Sequence, residues 1–168
     1  ASGPDSFQKF HGDSYHFLKH QVLFGLIPGG LLFLLASRID YRVWRRLAKP
    51  FFYGSLVLLM LVFVPGIGAE WGTTRSWISF GGFSLQPAEI VKVTFLLSLA
   101  AWLERTDARD LRSLHGGLVP FVARIGIVAA LLMLQPDLGT LLVIGGMAVT
   151  VYFLAGAPWL HLIGLSAA

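Results

Sequence analysis

Five apolar runs, at residues 21–37, 51–67, 90–103, 118–134 and 138–157, take up most of this chain and decide what it can fold into. Hydrophobic residues make up 55% of the 168 and charged residues only 13%, against about 25% charged in an ordinary soluble domain. With a mean hydropathy of +0.71, the composition belongs to proteins whose solvent is lipid. The predicted fold class is all-α: a polytopic bundle of transmembrane helices, with a sixth span opening at Trp159. Several runs are shorter than the ~20 residues that a ~30 Å hydrocarbon core requires. Those spans are expected to extend into their flanks, where aromatic and basic ends reach the interface.

Charge supplies the orientation. The formal net charge is +4 and the sequence pI about 9.8. The basic residues gather in short loops rather than on one face, which argues against a nucleic-acid partner. Residues 38–50 carry Arg38, Arg42, Arg45, Arg46 and Lys49, and residues 104–117 carry Arg105, Arg109 and Arg112. Both loops are expected on the cytoplasmic side. Loop 66–86 has Arg75 as its single basic residue and is expected outside. The 135–137 corner follows it there by alternation. With no cysteine, disulfides, thiolate catalysis and Cys-based metal sites are excluded. The polar opening residues show no signal peptide. Ala1 is not Met and Ala168 falls inside an apolar run, so the chain reads as an internal piece of a longer multi-span protein.

Two polar corners repeat one pattern, Gln86-Pro87-Ala88-Glu89 and Gln135-Pro136-Asp137-Leu138. Each proline suits the first position of a helix, where a missing N–H costs nothing. Each acid then falls in the first turn, where the helix dipole favours it. A carboxylate that near lipid needs a partner or a task, and plain helix starts explain the pattern as well as function does. Gln86, Glu89 and Lys92 are spaced by threes and share a helix face. Lys92 lies about a turn inside an apolar run, so a self-neutralising Glu89–Lys92 pair and a functional polar cavity both stand. In the external loop Trp71 and Trp77 bracket Arg75. Tryptophan favours the headgroup level and the arginine fork binds phosphate. That arrangement suits a lipid diphosphate, and it suits an interfacial anchor.

Three other features read as structural. Arg124 is expected to snorkel to the inner face. Gly25 with Gly29, and Gly145-Gly146, suit close helix packing. His16 and His20 are four apart, but no further His or Cys cluster supports a metal site. They read as part of an amphipathic lead-in helix.

These motifs resemble the SEDS family of bacterial membrane proteins, the FtsW/RodA group. The likeness runs through Phe17-Leu18-Lys19-His20-Gln21, Ser37-Arg38-Ile39-Asp40-Tyr41-Arg42 and Val64-Pro65-Gly66-Ile67-Gly68. It continues through Arg75-Ser76-Trp77-Ile78, Gln86-Pro87-Ala88-Glu89 with Lys92, Gln135-Pro136-Asp137-Leu138-Gly139-Thr140 and Phe153-Leu154-Ala155-Gly156. The Val64–Gly68 stretch leans to the division branch rather than the elongation branch. Two departures stand out. Ser76 separates Arg75 from Trp77, which the family usually has adjacent, and Ala88 takes the place of a serine.

The resemblance implies a glycosyltransferase of about ten spans in the bacterial plasma membrane, its cavity facing outward. It would polymerise lipid II into peptidoglycan strands during cell division and release undecaprenyl diphosphate. Its implied partners are a class B penicillin-binding protein, a transpeptidase, and other membrane proteins of the divisome. By motif, Arg75 would neutralise the diphosphate. Glu89, Lys92 and Asp137 would build a polar wall oriented by Gln86 and Gln135, with Trp77, Pro87, Pro136 and Gly139 as structural members. The catalytic base is expected in a later external loop, beyond Ala168. No cofactor or metal-ligand set is evident, although a diphosphate leaving group could recruit a divalent cation. The rival functions are a lipid II flippase and a non-catalytic scaffold of the division or elongation machinery. With Arg124 the one charge in the inner half of a span, polarity favours the transferase.

Overall fold

Two prolines, Pro28 and Pro120, lie two residues beyond short π-helical turns, Val22–Leu26 and Leu114–Leu118. A proline has no N–H to give to the carbonyl four residues back, so a helix approaching one loosens its ladder. The computed structural model in which these turns are seen describes residues 15–64, 68–71, 74–80 and 83–161. The chain divides into two units, Ala1–Val43 and Trp44–Ala168.

In the first unit, α1 (His16–Gln21) passes through the Val22–Leu26 turn into α2 (Ile27–Arg38). The helical stretch Leu18–Arg38 has 21 residues, about 31 Å at 1.5 Å per residue, which matches a hydrocarbon core. The His20 and Phe24 rings meet within it, tilted, with centroids 4.7 Å apart. A Cβ at Gly29 would meet nothing, so the close packing expected of Gly25 and Gly29 is not seen among the described residues.

Most of the second unit is four helices: α3 (Tyr41–Leu61), α4 (Pro87–Leu103), α6 (Val119–Leu134) and α7 (Leu138–Leu154), with α5 (Ala108–Leu111) in a loop. Helix α3 starts ten residues before the apolar run at 51–67 and takes in most of the stretch read as a loop at 38–50. Residues 41–49 contain no glycine or proline to stop a helix, and Asp40 Oδ1 accepts the Arg42 N–H at 2.8 Å to start it. Leu114–Leu134 is, like Leu18–Arg38, long and apolar enough to cross a membrane, and Leu138–Leu154 is a shorter apolar helix.

The core is built from one stripe per helix. On α3 the buried positions are Ala48, Phe52, Ser55, Leu56 and Leu59, and on α7 they are Thr140, Ile144, Ala148 and Tyr152. Spacing by three and four puts each set on one face. Gly145 and Gly146 fall off the α7 stripe, and a Cβ at either would meet nothing; the expected close approach is absent there too. The tightest glycine among the described residues is Gly117, where a Cβ would run into the Leu111 backbone; Gly116 is next, against the Asp110 carbonyl at 2.9 Å. The outward faces are apolar as well, with Met133, Leu134, Leu142 and Leu154 exposed, as lipid-facing surfaces are.

Side-chain contacts fix the directions. Arg45 Nη1 meets Glu104 Oε1 at 2.6 Å, and Ser55 Oγ meets Thr94 Oγ1 at 2.7 Å, so α3 and α4 are antiparallel. Phe121 stacks on Tyr152 at 4.2 Å, setting the start of α6 beside the end of α7. Tyr152 in turn bonds His161 Nδ1 at 3.0 Å, where the described chain ends.

Where a loop was expected at 66–86, the chain forms a three-stranded antiparallel sheet, β1 (Gly68–Trp71), β2 (Thr74–Phe80) and β3 (Phe83–Leu85), in that order. Ala69 faces Trp77 and Glu70 faces Arg75, with a bulge between Ala69 and Glu70. Thr74, Trp77, Ile78 and Phe80 supply the β-branched and aromatic residues of β2, ahead of a Gly-Gly pair.

Candidate polar site at one end of the bundle

The antiparallel pairing of α3 with α4 carries a geometric consequence. Position 45 lies beside 104 and position 55 beside 94. The Gln86–Lys92 segment therefore belongs at the end of the bundle where α3 finishes. Gln135 is anchored at that same end, because its Nε2 donates to the Leu59 carbonyl at 3.1 Å. The two Gln-Pro corners, 49 residues apart in sequence, thus share one end of the helices, and β2 touches α4 there.

Each corner is held differently. Pro87 is the first residue of α4, as the spacing predicted, and Glu89 stands in its first turn. The Glu89 N–H bonds the Gln86 carbonyl at 3.0 Å, while the half-buried Gln86 side chain makes no capping bond. Lys92 Nζ reaches Glu89 Oε1 at 2.7 Å; the lysine side chain is 23% exposed and the glutamate 58%. The pair on one face is thus real. Its carboxylate is open to the surroundings while its ammonium is tucked against the helices.

The second corner departs from its expected form. Helix α7 begins at Leu138, so Pro136 is not at the first helical position and Asp137 is not in the first turn. Asp137 is the N-cap: its Oδ1 accepts the Thr140 N–H at 3.0 Å, and that bond fixes where the helix starts. Gly139 is exposed in the first turn, where a Cβ would meet only Asp137 Oδ1 at 3.8 Å. Gln135 is 1% exposed.

Two acceptors at this corner have no partner among the described residues: Gln135 Oε1 and Asp137 Oδ2, both buried. A buried acceptor left unbonded costs about 1–3 kcal/mol, so the corner is primed for donors. Among the described residues, neither Glu89 nor Lys92 bonds to Gln135 or Asp137. The two corners share an end without a hydrogen bond between these side chains.

Arg75 lies in β2 opposite Glu70, and its side chain falls outside the described residues. Ser76 is 4% exposed and Ile78 2%, with the half-buried Trp77 between them on the alternate face. The inserted serine is therefore a strand position turned inward, a role that no loop reading could assign. Arg124 reaches back one turn to the Pro120 carbonyl at 2.9 Å. It also lies over the Trp102 ring at 4.2 Å, a partner the sequence did not indicate. No group of three or more His, Asp or Glu side chains that could hold a metal occurs among the described residues.

Comparisons with known proteins place these features in a lineage. The family described as cell cycle protein FtsW/RodA/SpoVE matches residues 1–168. A probable peptidoglycan glycosyltransferase FtsW of Geobacter metallireducens is 37% identical over 165 residues, covering 98% of this chain and 43% of the relative. Stage V sporulation protein E of Bacillus subtilis is 36% identical over 159 residues, covering 92% of this chain and 43% of the relative. The crystal structure of the rod shape determining protein RodA of Thermus thermophilus superposes with a TM-score of 0.74 at 36% identity, over 93% of this chain and 50% of that one. A peptidoglycan synthase complex, described as coordinating polymerization and crosslinking, gives a TM-score of 0.77 at 36% identity over 90% of this chain and 44% of that one. The chain spans less than half the length of the curated relatives it matches.

Proposed function

Because this chain belongs to the FtsW/RodA/SpoVE family of cell cycle proteins, we propose that it is part of a membrane-embedded peptidoglycan glycosyltransferase that polymerises lipid II during bacterial cell division. The observation that carries the reading is the gathering of both Gln-Pro corners at one bundle end, with Lys92 and Glu89 paired there. The FtsW relatives support the division role.

The chemistry divides among the groups at that end. A base from elsewhere in the protein deprotonates the acceptor sugar hydroxyl, which attacks the donor anomeric carbon. The bond to undecaprenyl diphosphate breaks, and the diphosphate leaves with the electron pair. Arg75 and Lys92 stabilise the charge that develops on it; fixed cations at such a position are worth several kcal/mol. Glu89 holds Lys92 in place until substrate arrives. The buried, unpartnered acceptors of Gln135 and Asp137 would take sugar hydroxyl or amide N–H donors that reach the corner. The site end faces outward, and the basic loops face the cytoplasm. The likeness to a synthase complex supports a class B penicillin-binding protein as partner.

The test is strand synthesis by purified full-length protein given lipid II and no other polymerase. Glycan strands are expected from the wild type. Arg75→Ala should make none while inserting normally into membranes. Normal strand yield from that variant would remove Arg75 from the chemistry. Transport of lipid II across vesicles without strands would replace the transferase with the flippase.

A further inference from the structure

At the opposite end of the bundle, α3, α4 and α6 border a cleft whose charge is unbalanced. A cavity of about 100 Å³ is lined by Arg45, Arg46, Lys49, Trp102 and Arg105. A second, of about 170 Å³, shares Lys49 and Trp102 with the first and adds Arg124 and the apolar Phe52, Leu56 and Ile127. Glu104 is the one acid paired with these bases, and Arg45 takes it at 2.6 Å. Among the described residues no acid pairs with Arg46, Lys49 or Arg105, and Arg45 Nε is buried without a partner. Arg124 is engaged by the Pro120 carbonyl and the Trp102 ring. Like-charged groups this close repel unless an anion joins them.

We propose that this cleft binds the phosphate headgroup of an anionic lipid from the inner leaflet. Space of about 100 Å³ holds roughly three water-sized groups, the scale of a phosphate rather than of a sugar. Basic pockets between spans at the cytoplasmic side suit such headgroups, and tryptophan favours that depth. The adjoining cavity supplies what a lipid needs and an acidic peptide does not: an apolar wall of Phe52, Leu56 and Ile127 for the glycerol and upper acyl chain. The inference rests on the sidedness proposed above, in which these loops face the cytoplasm.

Native mass spectrometry of the full-length protein tests it, with phosphatidylglycerol or phosphatidylcholine added in detergent. Phosphatidylglycerol should be retained over phosphatidylcholine. Lys49→Gln combined with Arg105→Gln should weaken that retention on the order of tenfold. Lys49→Arg and the exposed Arg109→Gln, outside the cleft, should leave it unchanged. Equal retention of both lipids, or a double variant that binds like wild type, would overturn the proposal. Displacement by millimolar inorganic phosphate would assign a free phosphate instead, and preferential capture of a polyglutamate peptide would assign a protein partner. Strand synthesis should be intact in the double variant, so the lipid result stands apart from the catalytic reading. A cysteine at Arg112 (R112C) should label only in inverted membranes; labelling from outside would overturn the inner-leaflet placement on its own.

Discussion

The two ends of the helical bundle are both polar, and they lack opposite things. At the Gln-Pro end the one described ammonium, Lys92, is matched by Glu89, and the atoms without partners are acceptors, Gln135 Oε1 and Asp137 Oδ2. At the basic end the one paired acid, Glu104, is matched by Arg45, and the atom without a partner is a donor, Arg45 Nε. On the two proposals above, the first end would take a ligand rich in hydroxyl and N–H groups and the second an anion. Hydropathy does not separate these cases, because both are interruptions of apolar helix. The difference lies in which partner each polar atom has already found.

Substitutions sharpen or break this contrast. After the complete loss expected of Arg75→Ala, the largest effect is expected at Lys92. Lys92→Ala should lower strand synthesis on the order of a hundredfold, with little change in the unfolding midpoint. Its pair with a carboxylate 58% exposed contributes no more than about 1 kcal/mol of stability. A rate near wild type would return the pair to a purely structural role. Next comes Gln135→Ala, which removes a buried side chain and its bond to Leu59. It should cost about 2–3 kcal/mol, read by thermal unfolding in detergent. Gln135→Met, which keeps the volume, should cost less.

At the other end, Gly117→Ala should cost about 2 kcal/mol through collision with the Leu111 backbone, without touching the acceptors. Comparable loss of strand synthesis in that variant, at matched stability, would blur the distinction between the ends. The smallest effect on strand synthesis belongs to Asp137. Asp137→Ala should cost about 1 kcal/mol as a lost cap. Asp137→Asn should keep the cap through its carbonyl oxygen while turning the unpartnered acceptor into an N–H donor. A severalfold drop in strand synthesis by the Asn variant at unchanged stability is the expected result, and full activity would confine Asp137 to capping.

Much of this was legible from the residues. The apolar runs gave the helices of the bundle because length and hydropathy are local properties. Pro87 opened its helix and Glu89 met Lys92 because spacing by threes is a property of the helix itself. The neighbouring corner resisted the same logic. Gln135-Pro136-Asp137 looked like a copy of Gln86-Pro87-Ala88-Glu89, yet one residue fewer before the acid turned a first-turn carboxylate into a cap. The sheet at 68–85 was hidden because a loop and a short meander carry similar composition. Its inward Ser76 only makes sense once the strand alternates.

The sequence alone determined that this chain is a bundle of apolar helices with polar corners, and which side chains could pair within one turn. Local spacing and transfer free energy suffice for both. Only the tertiary structure decided that Gln135 would bond the Leu59 carbonyl 76 residues away, that Arg45 would claim Glu104, and that Trp102 would lie under Arg124. Those outcomes depend on which helix faces which, and at what height. They are set by interdigitation of the buried stripes, a property of the assembled helices that no single segment contains.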